Sequence, residues 1–197
     1  MRSSNRRMVL LLGAWMMVAQ AGWGQSPSAA KPASSSLDVA VLYNASRQNN
    51  VAGTSFWMQG ASVQIHGQFW RGLGVVADVA ELHTANMQGS GVGLDLVTAT
   101  FGPRYTWAPS SRHYAIFAQV LAGEANGLNS VFPAAAGTTS NATSLALQAG
   151  GGMNIHLTPH IAVRAFEADW LRTQLPNATT NVQNNLCLGA GLVFRFR

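Results

Sequence analysis

The chain has 197 residues, with 12 basic and 7 acidic side chains, and only 10% of it is charged, against about 25% in an ordinary soluble domain. No basic patch with interleaved aromatics accompanies the net charge of +5, so nucleic acid is not an expected partner. Beyond the N-terminal stretch no 18-residue apolar run occurs, and no transmembrane helix is predicted.

The first seven residues, Met-Arg-Ser-Ser-Asn-Arg-Arg, are basic. Met8 to Val18 is apolar, and Ala19-Gln20-Ala21 places small residues where a signal peptidase reads. Residues 1–21 are therefore expected to be a cleaved secretory signal, since the apolar run is too short to cross a bilayer as a helix. Its removal takes Arg2, Arg6 and Arg7 and leaves nine basic against seven acidic side chains, a net charge of +2. Cys187 is the single cysteine and cannot form an internal disulfide. Residues 22–36, rich in Gly, Ser, Ala and Pro, read as a flexible lead-in. The domain spans 37–197.

That domain shows no helical periodicity. Eight segments alternate apolar and small or polar residues, and turn residues separate them. They are Leu37–Ala45, Phe56–Phe69, Leu73–His83, Leu94–Tyr105, Tyr114–Glu124, Ser144–Leu157, Ile161–Thr173 and Asn185–Arg197. Each is near or above the roughly 9–11 residues that a tilted strand needs to cross a bilayer. The connections alternate too: Trp70–Gly72, Thr106–His113 and Thr158–His160 are short, whereas Ser46–Ser55, Thr84–Gly93, Ala125–Thr143 and Gln174–Asn184 are longer and polar. Short turns on one side and long loops on the other predict an all-β, eight-stranded, antiparallel, up-and-down transmembrane β-barrel with its turns in the periplasm. Two aromatic girdles are expected, with Phe69, Trp70, Tyr105, Trp107, Tyr114, Phe194 and Phe196 near the turns, and Tyr43, Phe56, Trp57 and Trp170 near the loops.

A soluble barrel hides its oily face and shows water a charged one. Here the face opposite the oily one is Gly, Ser, Thr, Gln, Asn and Ala, which suits a narrow lumen better than a solvent surface. The few charges within strands, Asp78, Arg104, Glu124, Arg164, Glu167 and Asp169, are expected to face that lumen and pair there as a structural cluster. Arg164 has the opposite strand parity to Glu167 and Asp169, so all three point inward only if a bulge lies near Ala165-Phe166.

The last segment, Asn-Leu-Cys-Leu-Gly-Ala-Gly-Leu-Val-Phe-Arg-Phe-Arg, resembles the closing strand of bacterial outer-membrane barrels. With Phe101-Gly102-Pro103-Arg104-Tyr105, Phe117-Ala118-Gln119-Val120-Leu121-Ala122-Gly123 and the run from Gly150 to Ile155, it makes the chain resemble the eight-stranded family that includes the OmpA transmembrane domain and opacity-type proteins. The resemblance implies location in the outer membrane of a Gram-negative cell, contact with its lipid and lipopolysaccharide, and recognition of Gly191, Phe194 and Phe196 by the barrel-assembly machinery.

No motif for chemistry emerges. Gly89-Ser90-Gly91-Val92-Gly93 and the glycines 150–152 open no helix and offer no phosphate cradle. His66, His83, His113, His156 and His160 are scattered without metal-ligand spacing. Neither a catalytic residue nor a metal or other cofactor is expected. The chain reads as a small structural barrel whose lumen is plugged. The alternatives are a lipid A acyltransferase or deacylase, although the deacylases' His-x-Ser strand pair is absent, and an adhesin or receptor using its loops.

Overall fold

The computed structural model describes residues 36–49, 55–87, 90–109, 113–177 and 179–196. The expected signal at 1–21 and all of the lead-in except Ser36 lie outside the described residues.

The eight expected strands are present as β1 (Ser36–Asn49), β2 (Ser55–Trp70), β3 (Leu73–Thr84), β4 (Leu94–Trp107), β5 (Tyr114–Leu128), β8 (Ala142–His156), β9 (Ile161–Thr173) and β10 (Gln183–Phe196). Two short strands, β6 (Phe132–Ala134) and β7 (Gly137–Thr139), form a separate hairpin inside the longest loop, where the sequence predicts no strand. The eight long strands close into an antiparallel barrel in the order β1-β10-β9-β8-β5-β4-β3-β2. Several run further at the loop end than the alternation suggested, because polar residues such as Arg47, Gln48 and Asn126 continue the ladder beyond the oily stretch.

Closure follows from the sequence of the two terminal strands. β1 pairs with β10 from Leu37 opposite Phe196 to Arg47 opposite Leu186, so neither strand leaves an open edge of unpaired backbone. At the turn end β2 turns into β3 through Arg71-Gly72. Both residues have positive φ, 39° and 91°, as a tight two-residue hairpin requires.

Strand alternation sorts the side chains into two environments. Leu37, Val41, Tyr43, Val63, Ile65, Val75, Val79, Phe101, Val120, Leu145, Leu192, Phe194 and Phe196 are all exposed on the exterior. Ala40, Ser62, Gln64, Thr98, Arg104, Gln119 and Val193 are buried inside. This is the reverse of a water-soluble domain. Trp57 and Trp170 stand outside near the loops, and Phe69, Trp70, Tyr105 and Trp107 near the turns. Phe56, expected in the loop-side girdle, instead lies on the inward parity and packs against buried Met58, Leu82 and Leu96.

The interior is layered along the barrel axis. At the loop end an apolar plug gathers Met58, Leu82, Leu94, Leu96, Ala125, Ala146 and Leu171, and Phe132 from β6 and Leu175 from the last loop fold in over it. Gly127 makes room for this. A Cβ there would come within 2.5 Å of the Phe132 ring and 3.3 Å of Leu175. The middle layer is polar and charged. At the turn end lies a vestibule of about 420 Å³, lined by Asp38, His66, Arg104, Phe117, Asn154 and Arg195 among others.

Candidate functional site: the charged layer of the lumen

Five of the six charges expected in the lumen are there. Asp78, Arg104, Arg164, Glu167 and Asp169 are buried, and Arg164 is only 1% exposed. Glu124 is not among them. Residues 115, 117, 119, 121 and 125 face inward on β5, so Glu124 shares the outward parity of Val120 and Ala122 and is exposed near the loop end, accepting a bond from Asn126 at 3.0 Å. The strand's own alternation carried that information.

The parity conflict on β9 is resolved by a bulge. On β8, Met153 pairs with Phe166 but the next residue, Asn154, pairs with Arg164. On β10, Gly189 faces Glu167 and Gly191 faces Arg164. One extra residue is thus accommodated at Ala165-Phe166. Both of these are exposed, while Arg164, Glu167 and Asp169 all turn inward. A bulge re-aims side chains in this way at the cost of one ladder position.

Glutamines connect these charges. Gln64 Oε1 accepts from Arg104 Nη2 at 2.6 Å and from Arg164 Nη1 at 2.5 Å, while its Nε2 donates to Glu167 at 2.8 Å. Gln119 accepts from Arg104 Nε at 3.0 Å and donates to Glu167 at 2.9 Å and to Asp169 at 3.2 Å. Gln148 donates to Asp169 at 2.8 Å and accepts from the Thr100 hydroxyl at 3.3 Å. The direct ion pair in the layer joins Arg164 Nη1 to Glu167 Oε2 at 2.5 Å, and Arg164 Nε also donates to Asn154 at 3.0 Å. An amide can donate and accept at once, so Gln64 and Gln119 each carry a bond from a guanidinium on to a carboxylate, and Gln148 carries one from the Thr100 hydroxyl on to Asp169. Strand parity puts these glutamines on the inward face, but which charges each one links depends on strands distant in sequence.

The Phe117 ring lies against both arginines, with guanidinium carbons 4.3 and 4.5 Å from its centroid. Both cations are thereby held against an aromatic face as well as by hydrogen bonds. Glycines 150 and 152 leave the space this needs, since a Cβ at Gly150 would meet Asp169 Oδ1 at 2.1 Å and one at Gly152 the Phe117 ring at 2.9 Å. Asp78 Oδ1 is buried without a protein partner and lines a cavity of about 30 Å³ beside Gln148, Glu167 and Asp169, enough room for water to bridge them.

A second polar group, missed in the sequence, closes the turn end of the seam. Asp38 of β1 lies 3.5 Å from His66 Nδ1 of β2 and 3.5 Å from Arg195 Nε of β10. All three stand on the small-residue parity of their strands, and that was the available signal. Of the expected assembly residues, Gly191 faces inward, and Phe194 and Phe196 face outward opposite Val39 and Leu37. Among the described residues no group of three or more His, Cys, Asp or Glu side chains has metal-binding geometry.

No protein-family model matches the chain, and no curated protein matches it either. Solved structures do. Neisserial surface protein A matches with a TM-score of 0.62 at 13% identity, covering 81% of this chain and 97% of its own. Ail, the attachment invasion locus protein of Yersinia pestis, solved with the heparin analogue sucrose octasulfate, matches with a TM-score of 0.54 at 17% identity, covering 82% of this chain and 99% of its own. The chain has the fold of the eight-stranded outer-membrane barrels. In a barrel of this kind the charged layer fills the middle of a lumen that eight strands leave just wide enough for side chains.

Proposed function

We propose that this chain is a small structural barrel of a bacterial outer membrane, exported by a signal at residues 1–21 that is then cleaved, with its long loops outside and its lumen closed. The observation that carries this reading is the filled interior. Asp78, Arg104, Arg164, Glu167 and Asp169, linked by Gln64, Gln119 and Gln148, occupy the middle of a barrel whose loop end is packed with apolar side chains. The cluster's role is structural. Apart from Asp78 Oδ1, its polar groups are used in bonding one another, which argues for a scaffold over an enzyme and against a substantial ion pathway. The oily exterior fits outer-membrane lipid and lipopolysaccharide. Gly191, Phe194 and Phe196 form the terminal signal for the barrel-assembly machinery.

Ail's complex with a heparin analogue raises the adhesin alternative. The segments 50–54, 84–93, 129–141 and 174–182 carry no charged residue at all, so recognition of a sulfated sugar through cations on these loops is not carried over.

The test has two arms. Protein expressed with its N-terminus intact is fractionated and run on gels with and without heating. Recovery in the outer membrane with a heat-shifted mobility supports the barrel, and recovery as a soluble species overturns it. Purified monomer is then placed in planar bilayers, where large stable conductance steps would overturn the closed lumen.

A further inference from the structure

The charges outside the barrel are divided between opposite walls. On the loop half of the exterior, Arg47 stands on β1 and Arg172 on β9, on either side of β10. Glu81 stands on β3 and Glu124 on β5, on either side of β4, where Asp95 joins them nearer the loops. In the ring of eight strands β10 and β4 are four apart, so the basic and acidic walls are diametrically opposed. The remaining acidic residues of the sequence are the lumen's Asp78, Glu167 and Asp169 and the turn-end Asp38, so no acid stands on the basic wall, and among the described residues the ionisable partner on the acidic wall is His83, which contacts Asp95.

The four outermost charges also share one height. Following partners around the wall from Arg47 leads through Leu186, Trp170, Ala149 and Val120 and, by way of Pro103, Val75 and Gly67, back to β1 at Leu37, ten residues nearer the turns. A line of partners therefore descends by slightly more than one residue per strand, the stagger that closing a tilted sheet requires. Arg172 lies two residues loopward of Trp170, and Glu81 two residues loopward of Val79, the residue reached from Glu124 through Ala99. Those offsets cancel the descent within each pair, and the same count sets Glu124 level with Arg47 to about one residue. The band they form coincides with the exposed Trp57 of the loop-side girdle.

We infer that these walls are a head-to-tail docking surface through which copies of this chain associate side by side in the membrane plane, the Arg47/Arg172 wall of one against the Glu81/Glu124 wall of the next. This rests on the bilayer location proposed above. Both walls are held level by that bilayer, so two upright copies meet with opposite charges at the same depth, where low dielectric strengthens the attraction. Among the described residues the Glu81 side chain has no hydrogen bond or ion pair, and Arg172 Nε has no hydrogen-bond partner. Shape agrees with charge. Below Glu124 the exterior is indented by a groove of about 510 Å³ lined by Gly102 and Ala122 between larger neighbours, while below the arginines β10 presents exposed Leu188 and Leu192. A two-fold contact would bring like charges together, so the contact is heterologous. Because the walls are opposed, it extends as a row and does not close into a small ring.

The experiment uses three forms of the full barrel, each carrying Cys187→Ala and a labelled Thr138→Cys on the exposed hairpin: the parent, Arg47→Glu with Arg172→Glu, and Glu81→Arg with Glu124→Arg. Each is inserted in phosphatidylcholine vesicles without lipopolysaccharide, and heat-shifted mobility confirms folding. Failure at that step counts against the bilayer location and not against docking. Energy transfer between donor- and acceptor-labelled copies should exceed random mixing for the parent and fall to the random level for either variant alone. It should return when the two variants are mixed, because the acidic walls of one then face the basic walls of the other. Transfer at the random level for the parent would overturn the proposal. So would transfer retained by the doubly acidic variant, or a mixture that does not recover, the result expected if the arginines serve only lipid phosphates.

Discussion

Arg164 is held by four neighbours in the lumen. Its guanidinium bonds Glu167, Gln64 and Asn154 and rests on Phe117. Removing it leaves Glu167 buried without its cation, and breaking such a pair on one side costs about 3–5 kcal/mol. Arg164→Ala should therefore lower the unfolding free energy measured in urea by that much, whereas Arg164→Met with Glu167→Leu should lose clearly less. Comparable losses for both would show that the pairing is not what holds the layer. The two sides of the wall differ just as sharply. Leu147 faces out and Gln148 in, on neighbouring positions of β8. An arginine on the lipid side costs about 2–4 kcal/mol at mid-depth, so Leu147→Arg should reduce recovery in the outer membrane more than Gln148→Arg does. Equal tolerance would mean the faces are assigned wrongly. At this scale the sequence was informative about side and weak about partners. Parity placed Gln64, Gln119 and Arg104 inside, but which amide meets which guanidinium depends on strands 40 or 100 residues apart in sequence. Glu124 was misplaced because a charge within a strand was assumed to need the lumen, when it lies close enough to the loop end to stay outside.

Elements turn those parities into a wall. The β9 bulge lets a strand with conflicting parity aim Arg164, Glu167 and Asp169 at one another. Deleting Ala165 removes the extra residue and leaves Arg164, Glu167 and Asp169 on one parity, so strict alternation carries all three inward without a bulge. The deletion is expected to keep the heat-shifted species, and its loss would show that the bulge does more than correct parity. The end of β10 makes a second element-scale case. Truncation after Val193 removes Phe194 and Phe196 and the last rungs of the seam with β1, leaving backbone groups unpaired where lipid offers no hydrogen bonds. That form should accumulate outside the outer membrane or be degraded. Removing residues 130–140, which takes away the β6–β7 hairpin but none of the eight-stranded ladder, should still assemble. A truncation that assembles beside a hairpin deletion that does not would reverse the roles given to these elements.

For the whole molecule the question is how the lumen is shut. Phe132 and Leu175 close the loop end, and the glutamine-linked charges close the middle. The hairpin deletion removes only the first of these, so its conductance in planar bilayers should stay at baseline, and open channels in that form would show that the charged layer seals nothing. By itself the sequence determined the class of the fold. A period of two over eight segments, short and long connections in turn, and an oily face set against a small polar one all follow from a chain crossing a two-sided wall, and such local constraints repeat along the chain where they can be read. Even the bulge was legible, because parity is local. Only the tertiary structure decided the rest. Closure puts β1 beside β10, and the stagger of the barrel brings Gln64 of β2 to Arg164 of β9 and sets Arg47 level with Glu124 across the barrel. It also folds Phe132 into a plug that reads in sequence as loop. Those relations depend on strand order and shear, which are properties of the closed sheet and leave no periodic mark on any one segment.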